Sequence, residues 1–164
     1  MPSGSNNAFA TLGLPARFDI DMRELRAAWI RLSRERHPDR IGDSDSADTG
    51  RMARLNEAYE TLRTPTRRAE HLLALAGGPS ASDDRSVPQD VLIETLELRE
   101  PLDDASDAAR DKISRQVGTR MSEWLDRITQ LAPSLENNAE DRAEMRLALN
   151  AIRTYERLTE QLNA

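Results

Sequence analysis

The sequence predicts an all-α protein built from two helical modules, an N-terminal helical hairpin and a C-terminal antiparallel three-helix bundle. Three observations carry this. Leu, Ala, Arg and Glu, all strong helix formers, dominate the 164 residues, whereas aromatic residues make up only 4%. Apolar residues recur at spacings of three and four. A Gly77-Gly78-Pro79-Ser80 break interrupts that periodicity near the middle of the chain. The expected division is therefore 1–76 for the first module, 77–87 for a linker and 88–164 for the second.

In the first module, Met22, Leu25, Trp29 and Leu32 fall on one stripe of a helix, and Met52, Leu55, Tyr59 and Leu62 on another. Neither stripe can be buried alone, so the two helices pair antiparallel. Pro38 disfavours helical geometry at His37, which ends the first of them at Arg36 or His37. A polar connection follows, to about Asp48. A short helix near Ala8–Leu12 covers the open side of the pair. Thr64 as N-cap and Pro65 in the first turn start a further helix through Arg68, Leu72 and Leu75.

The second module reads as three helices. The first runs from Pro88 or Gln89 to about Glu100. The next carries Ile113, Val117, Met121, Trp124, Ile128 and Leu131 and ends at Pro133. The last carries Leu147, Ala151, Tyr155, Leu158 and Leu162. Trp29 and Trp124 both lie in apolar stripes and are expected in the core.

Composition excludes several functions. With no cysteine, the chain forms no disulfide, holds no thiolate-bound zinc or iron–sulfur cluster and has no thiol nucleophile. No apolar run approaches the ~20 residues that span a bilayer, and Met1 to Asn7 lack the basic and apolar regions of a signal peptide. A cytoplasmic protein is expected. The net charge of −6 is uneven: residues 1–76 carry 12 arginines against 11 acids, residues 77–164 only 11 cations against 18 acids. So acidic a second half argues against general nucleic-acid binding and for modules with different partners.

No catalytic constellation emerges. The two histidines, His37 and His71, lie on separate elements, no Gly-rich phosphate loop is present, and no nucleophile is grouped with a base and an orienting residue. Neither a metal site nor a cofactor is expected.

Two segments stand out. The tripeptide His37-Pro38-Asp39 occupies the turn of the hairpin, between a helix with an apolar stripe and a second one reading Leu55-Asn56-Glu57-Ala58-Tyr59-Glu60-Thr61-Leu62. Arg23, Arg26 and Arg34 lie opposite the apolar stripe of the preceding helix, a cationic face complementary to an acidic partner. In the second module, Val91, Thr95, Leu98 and Leu102 form the one stripe a bundle requires. Leu92, Ile93 and Leu96 fall elsewhere, beside Arg99 and Glu100. This surplus apolar side is either a docking patch or packs beneath the linker or against the first module.

The first segment resembles the J-domain of DnaJ-type co-chaperones. With Arg67-Arg68-Ala69-Glu70-His71-Leu72-Leu73 and a C-terminal bundle opening on Leu-Glu-Leu-Arg-Glu, the chain from about Ala8 to Leu162 is similar to the HscB family of iron–sulfur cluster co-chaperones. The resemblance implies that His37, Pro38 and Asp39 contact a DnaK-class, HscA-type ATPase chaperone and promote its ATP hydrolysis. Arg23, Arg26, Arg34, Arg36 and Arg40 would extend that surface. It also implies that the bundle recruits an IscU-type cluster scaffold through Leu92, Ile93, Leu96, Glu97, Arg99, Glu100 and Asp104.

The sequence departs from the family at Pro101, where the helix generally continues with a charged residue; proline loses a donor and clashes with the Glu97 carbonyl. A bulky apolar residue from the family's last helix falls near Ala151, with Tyr155 one turn away, and that contact stays unassigned. The alternatives are a J-domain protein with another client and a helical interaction protein unrelated to chaperones.

Overall fold

The computed structural model describes residues 7–35, 46–102 and 104–163, without the side chains of 46–48. The described residues form seven α-helices and no strand: α1 (Ala8–Leu12), α2 (Met22–Glu35), α3 (Ser46–Arg63), α4 (Pro65–Leu75), α5 (Gln89–Arg99), α6 (Asp107–Leu131) and α7 (Ala139–Leu162). They fall into two compact units, Met1–Leu75 and Ala76–Ala164. Among the described residues no helix is long and apolar enough to cross a membrane.

In the first unit α2 packs on α3, and α1 covers both. The Asn7 side chain caps α1 by accepting from the Phe9 and Ala10 amides, at 3.0 and 3.2 Å. Phe9 and Leu12 then enter the core beside Leu25, Leu55 and Leu62, all but inaccessible to water. Burying each such side chain stabilises the fold by about 1.5–3 kcal/mol. That burial, rather than helix propensity, holds so short a helix as α1 in place.

Three expectations for this unit need correction. Met22 opens α2 and is 45% exposed, so the stripe starts at Leu25; Arg68 Nη2 reaches its sulfur at 3.4 Å. Trp29 is half-buried rather than core. Its ring lies 5.1 Å from that of Tyr59 while Nε1 donates to Asn56 Oδ1 at 3.0 Å, so the polar edge of the indole holds it at the rim. Thr64 does stand at the N-cap of α4, its carbonyl accepting from the Arg68 amide at 2.9 Å, but its hydroxyl donates backward to the Glu60 carbonyl at 3.3 Å.

Beyond α4, Gly77 adopts φ 71°, the left-handed conformation that closes a helix. An added Cβ there would meet nothing within 4 Å, so the demand for glycine is conformational, not steric. The segment that follows is fastened to α7: Asn150 Nδ2 donates to the Asp84 and Ser86 carbonyls at 3.0 and 2.9 Å.

In the second unit α6 runs back along α7, and α5 packs on α7. Val91 and Leu102 from α5 and its end, Ile113 and Val117 from α6, and Ala151, Tyr155, Leu158 and Leu162 from α7 form one core. Arg110 ties the ends together by donating to the Leu102 and Leu162 carbonyls at 3.0 and 3.1 Å. Helix α6 begins at a Ser106 cap and passes into a 3₁₀ turn (Ala132–Ser134) containing Pro133. Two readings change here. Leu147 is only half-buried, and Met145, Ala148, Leu149 and Ile152 supply the core of the first turns of α7. Trp124 is half-buried, packed against the core with one side open.

Candidate functional site

The first candidate face lies on α2. Asp21 Oδ1 accepts from the Arg23 amide at 2.7 Å, and the helix then turns Leu25 into the core. That orientation leaves Arg23, Arg26 and Arg34 exposed, and none of the three makes an ion pair among the described residues. Arg31, between them, is partly neutralised by Glu35 at 3.3 Å. The result is a set of open cations on one surface. His37, Pro38 and Asp39, with the flanking Arg36 and Arg40, lie outside the described residues.

The second candidate face is built by α5. Val91 and Thr95 are buried, and Thr95 spends its hydroxyl on the Val91 carbonyl at 2.8 Å, so no polar atom is stranded in the core. At 100° per residue, Leu92, Ile93 and Leu96 must then turn away from the bundle. They are 50%, 51% and 68% exposed, three of the four large apolar side chains of the described chain left so open. Glu97, Arg99, Glu100 and Asp104 are exposed around them. Helix α5 ends at Arg99, with Pro101 just beyond and the Leu102 amide closing onto the Arg99 carbonyl at 3.1 Å. Asp104 therefore follows a turn and does not extend the helix.

One residue the sequence reading passed over decides how α5 sits. Glu94 accepts from Arg120 Nε and Gln116 Nε2 of α6, both at 3.0 Å, and from the Tyr155 hydroxyl of α7 at 2.5 Å. Burial raises its carboxyl, but the hydrogen bonds from Tyr155, Arg120 and Gln116 outweigh that and hold it below its ordinary value. Burial, with the bond to Glu94, pushes the Tyr155 phenol up. The signal was available: Glu94 lies three residues after Val91 and four before Leu98, a core-flanking position where a carboxylate needs a partner on another helix. Ala151 and Tyr155, the positions nearest the unassigned family contact, are both buried in the core.

His71 is also engaged structurally. Its Nε2 accepts from the Ala8 amide at 3.0 Å, and its ring lies 5.8 Å from that of Phe9. Among the described residues no group of three or more acidic or histidine side chains could hold a metal ion.

Comparison with known proteins follows the same division. Residues 7–71 match the family model described as DnaJ domain, and residues 87–163 match the HSCB C-terminal oligomerisation domain. The structure is similar to that of human co-chaperone protein HscB, with 25% identity and a TM-score of 0.80 over 99% of this chain and 83% of that one. Chaperone HscB from Vibrio cholerae is 26% identical, with a TM-score of 0.75 over 96% of this chain and 95% of its own. The Jac1 co-chaperone from Saccharomyces cerevisiae, at 22% identity, shares the fold with a TM-score of 0.67 over 91% of this chain and 84% of its own.

Proposed function

As a member of the HscB family the chain is a J-domain co-chaperone of iron–sulfur cluster assembly, and we propose that it joins an HscA-type chaperone to an IscU-type scaffold through one face on each unit. Co-chaperones of this kind bind; they do not catalyse. His37, Pro38 and Asp39 engage the ATPase of the DnaK-class chaperone, with Arg23, Arg26, Arg34, Arg36 and Arg40 steering the encounter toward an acidic surface. Leu92, Ile93 and Leu96 take up the scaffold, and Glu97, Arg99, Glu100 and Asp104 form a charged rim that sets orientation.

The observation that carries this reading is the exposed apolar row on α5, held outward by a helix whose other side is locked into the bundle. Burying half of three such side chains returns on the order of 1 kcal/mol each, enough to anchor a contact whose specificity comes from the rim. Carrying both faces on one chain raises the effective concentration of the scaffold at the chaperone. ATP hydrolysis belongs to the chaperone, and the cluster is cargo on the scaffold.

The test is single-turnover ATP hydrolysis by the HscA-type chaperone with the IscU-type scaffold present. The protein should accelerate it, and Asp39→Asn should abolish the acceleration. Omitting the scaffold should reduce the effect of the wild type. No acceleration by either protein would reject the reading for that chaperone.

A further inference from the structure

Beside the exposed row of α5 the bundle holds a groove between α5 and α6, floored by Tyr155 of α7. Five carboxylates line it against two guanidiniums. Both guanidiniums are already committed: Arg120 pairs with Glu94 at 3.0 Å and Glu123 at 2.9 Å, and Arg127 donates from Nε to Glu144 at 2.6 Å. Asp90 and Glu97 are left exposed, and their side chains make no ion pair or hydrogen bond among the described residues.

The apolar wall of the groove is Ile93 and Trp124. Trp124 packs one side of its ring on the core, and its indole N–H has no hydrogen-bond partner among the described residues. A half-buried tryptophan with an unspent donor is the type of residue that dominates binding energy at interfaces. Ile93 and Glu97 belong to the groove and to the exposed row alike, so the two surfaces are continuous.

We propose that this groove is a second contact for the scaffold protein, taking a basic residue of that partner with an apolar neighbour. The apolar side chain lies against Ile93 and Trp124, the cation pairs with Asp90 and Glu97, and an acceptor on the scaffold receives the Trp124 N–H. The inference rests on the scaffold reading above and adds to it the α6 wall and Asp90.

The experiment titrates the IscU-type scaffold into the full-length protein and follows tryptophan emission and its quenching by acrylamide. Trp124→Phe, which keeps the ring packing, separates the contribution of Trp29. The expected result is a blue shift and protection from quenching that disappear in Trp124→Phe. Asp90→Lys should weaken scaffold affinity at least about fivefold, in line with loss of a charge-assisted contact, with melting unchanged. Scaffold binding that Leu92→Ala with Leu96→Ala abolishes, but that leaves Trp124 emission and the Asp90→Lys affinity untouched, overturns the groove and spares the function. Absence of scaffold binding by the wild type overturns both. An emission change that tracks the protein's own concentration without scaffold assigns the groove to a second copy and overturns the proposal.

Discussion

Arg68 donates from Nε to the Leu62 carbonyl and from Nη1 to the Phe18 carbonyl, both at 2.7 Å, with its guanidinium carbon 5.3 Å from the Phe18 ring centre. A buried cation that satisfies two buried acceptors is costly to remove, because both carbonyls are left dry. Arg68→Met should destabilise the first unit by about 2–4 kcal/mol, read as a lower urea midpoint of Trp29 emission with little change in slope. His71 gives a pH dependence of definite sign. Burial lowers its pKa from the ordinary 6.5, and Nε2 must be unprotonated to accept from Ala8. The unfolded chain therefore takes up the proton first, so the contribution is complete above 6.5 and is lost as pH falls from there through the lower folded-state pKa. Urea titrations at neutral and mildly acidic pH should show the loss, and His71→Gln should flatten it.

At the scale of elements, caps and stripes decide where helices begin and what they bury. Asn138 accepts from the Glu140 and Asp141 amides at 2.9 and 3.3 Å at the start of α7. Asn138→Ala should cost about 1 kcal/mol, measurable as a lower thermal midpoint of the second unit. The positions of α2, α3, α5, α6 and α7 were legible in the spacing of apolar residues and that of α4 in Thr64-Pro65. Spacing set Leu92, Ile93 and Leu96 off the stripe of Val91, Thr95, Leu98 and Leu102 without deciding between solvent and a covering segment; the structure leaves all three exposed. What spacing could not convey was polar partnership between distant residues. Arg68 looked like one of several arginines until Phe18, fifty residues earlier in the chain, supplied its acceptor. Glu94 likewise had no visible partner, because Arg120 and Tyr155 come to it from other helices. Trp29 sits outside the core for the complementary reason: an apolar stripe records its ring but not the Asn56 side chain that holds its N–H at the rim.

Across the molecule, the two proposed faces lie on different compact units, and variants should separate their effects. Leu92→Ala with Leu96→Ala removes side chains that are mostly exposed, so thermal stability should change by less than about 0.5 kcal/mol. Scaffold binding should be lost while scaffold-independent stimulation of the chaperone persists. Loss of both activities together would point to misfolding and would show in the melt. The apolar row on α5 also has a colloidal consequence. Leu92, Ile93 and Leu96 stand uncovered in the described chain, but Asp90, Glu97 and Glu100 surround them and outnumber the one cation of the rim, Arg99. Two copies meeting through this face bring like charges together. The carboxylates thus act as bumpers that keep the sticky row from closing on its twin. At 1 M salt the screening length shrinks to about 3 Å, and those bumpers go slack. Light scattering should then rise first for the wild type and remain flat for Leu96→Lys.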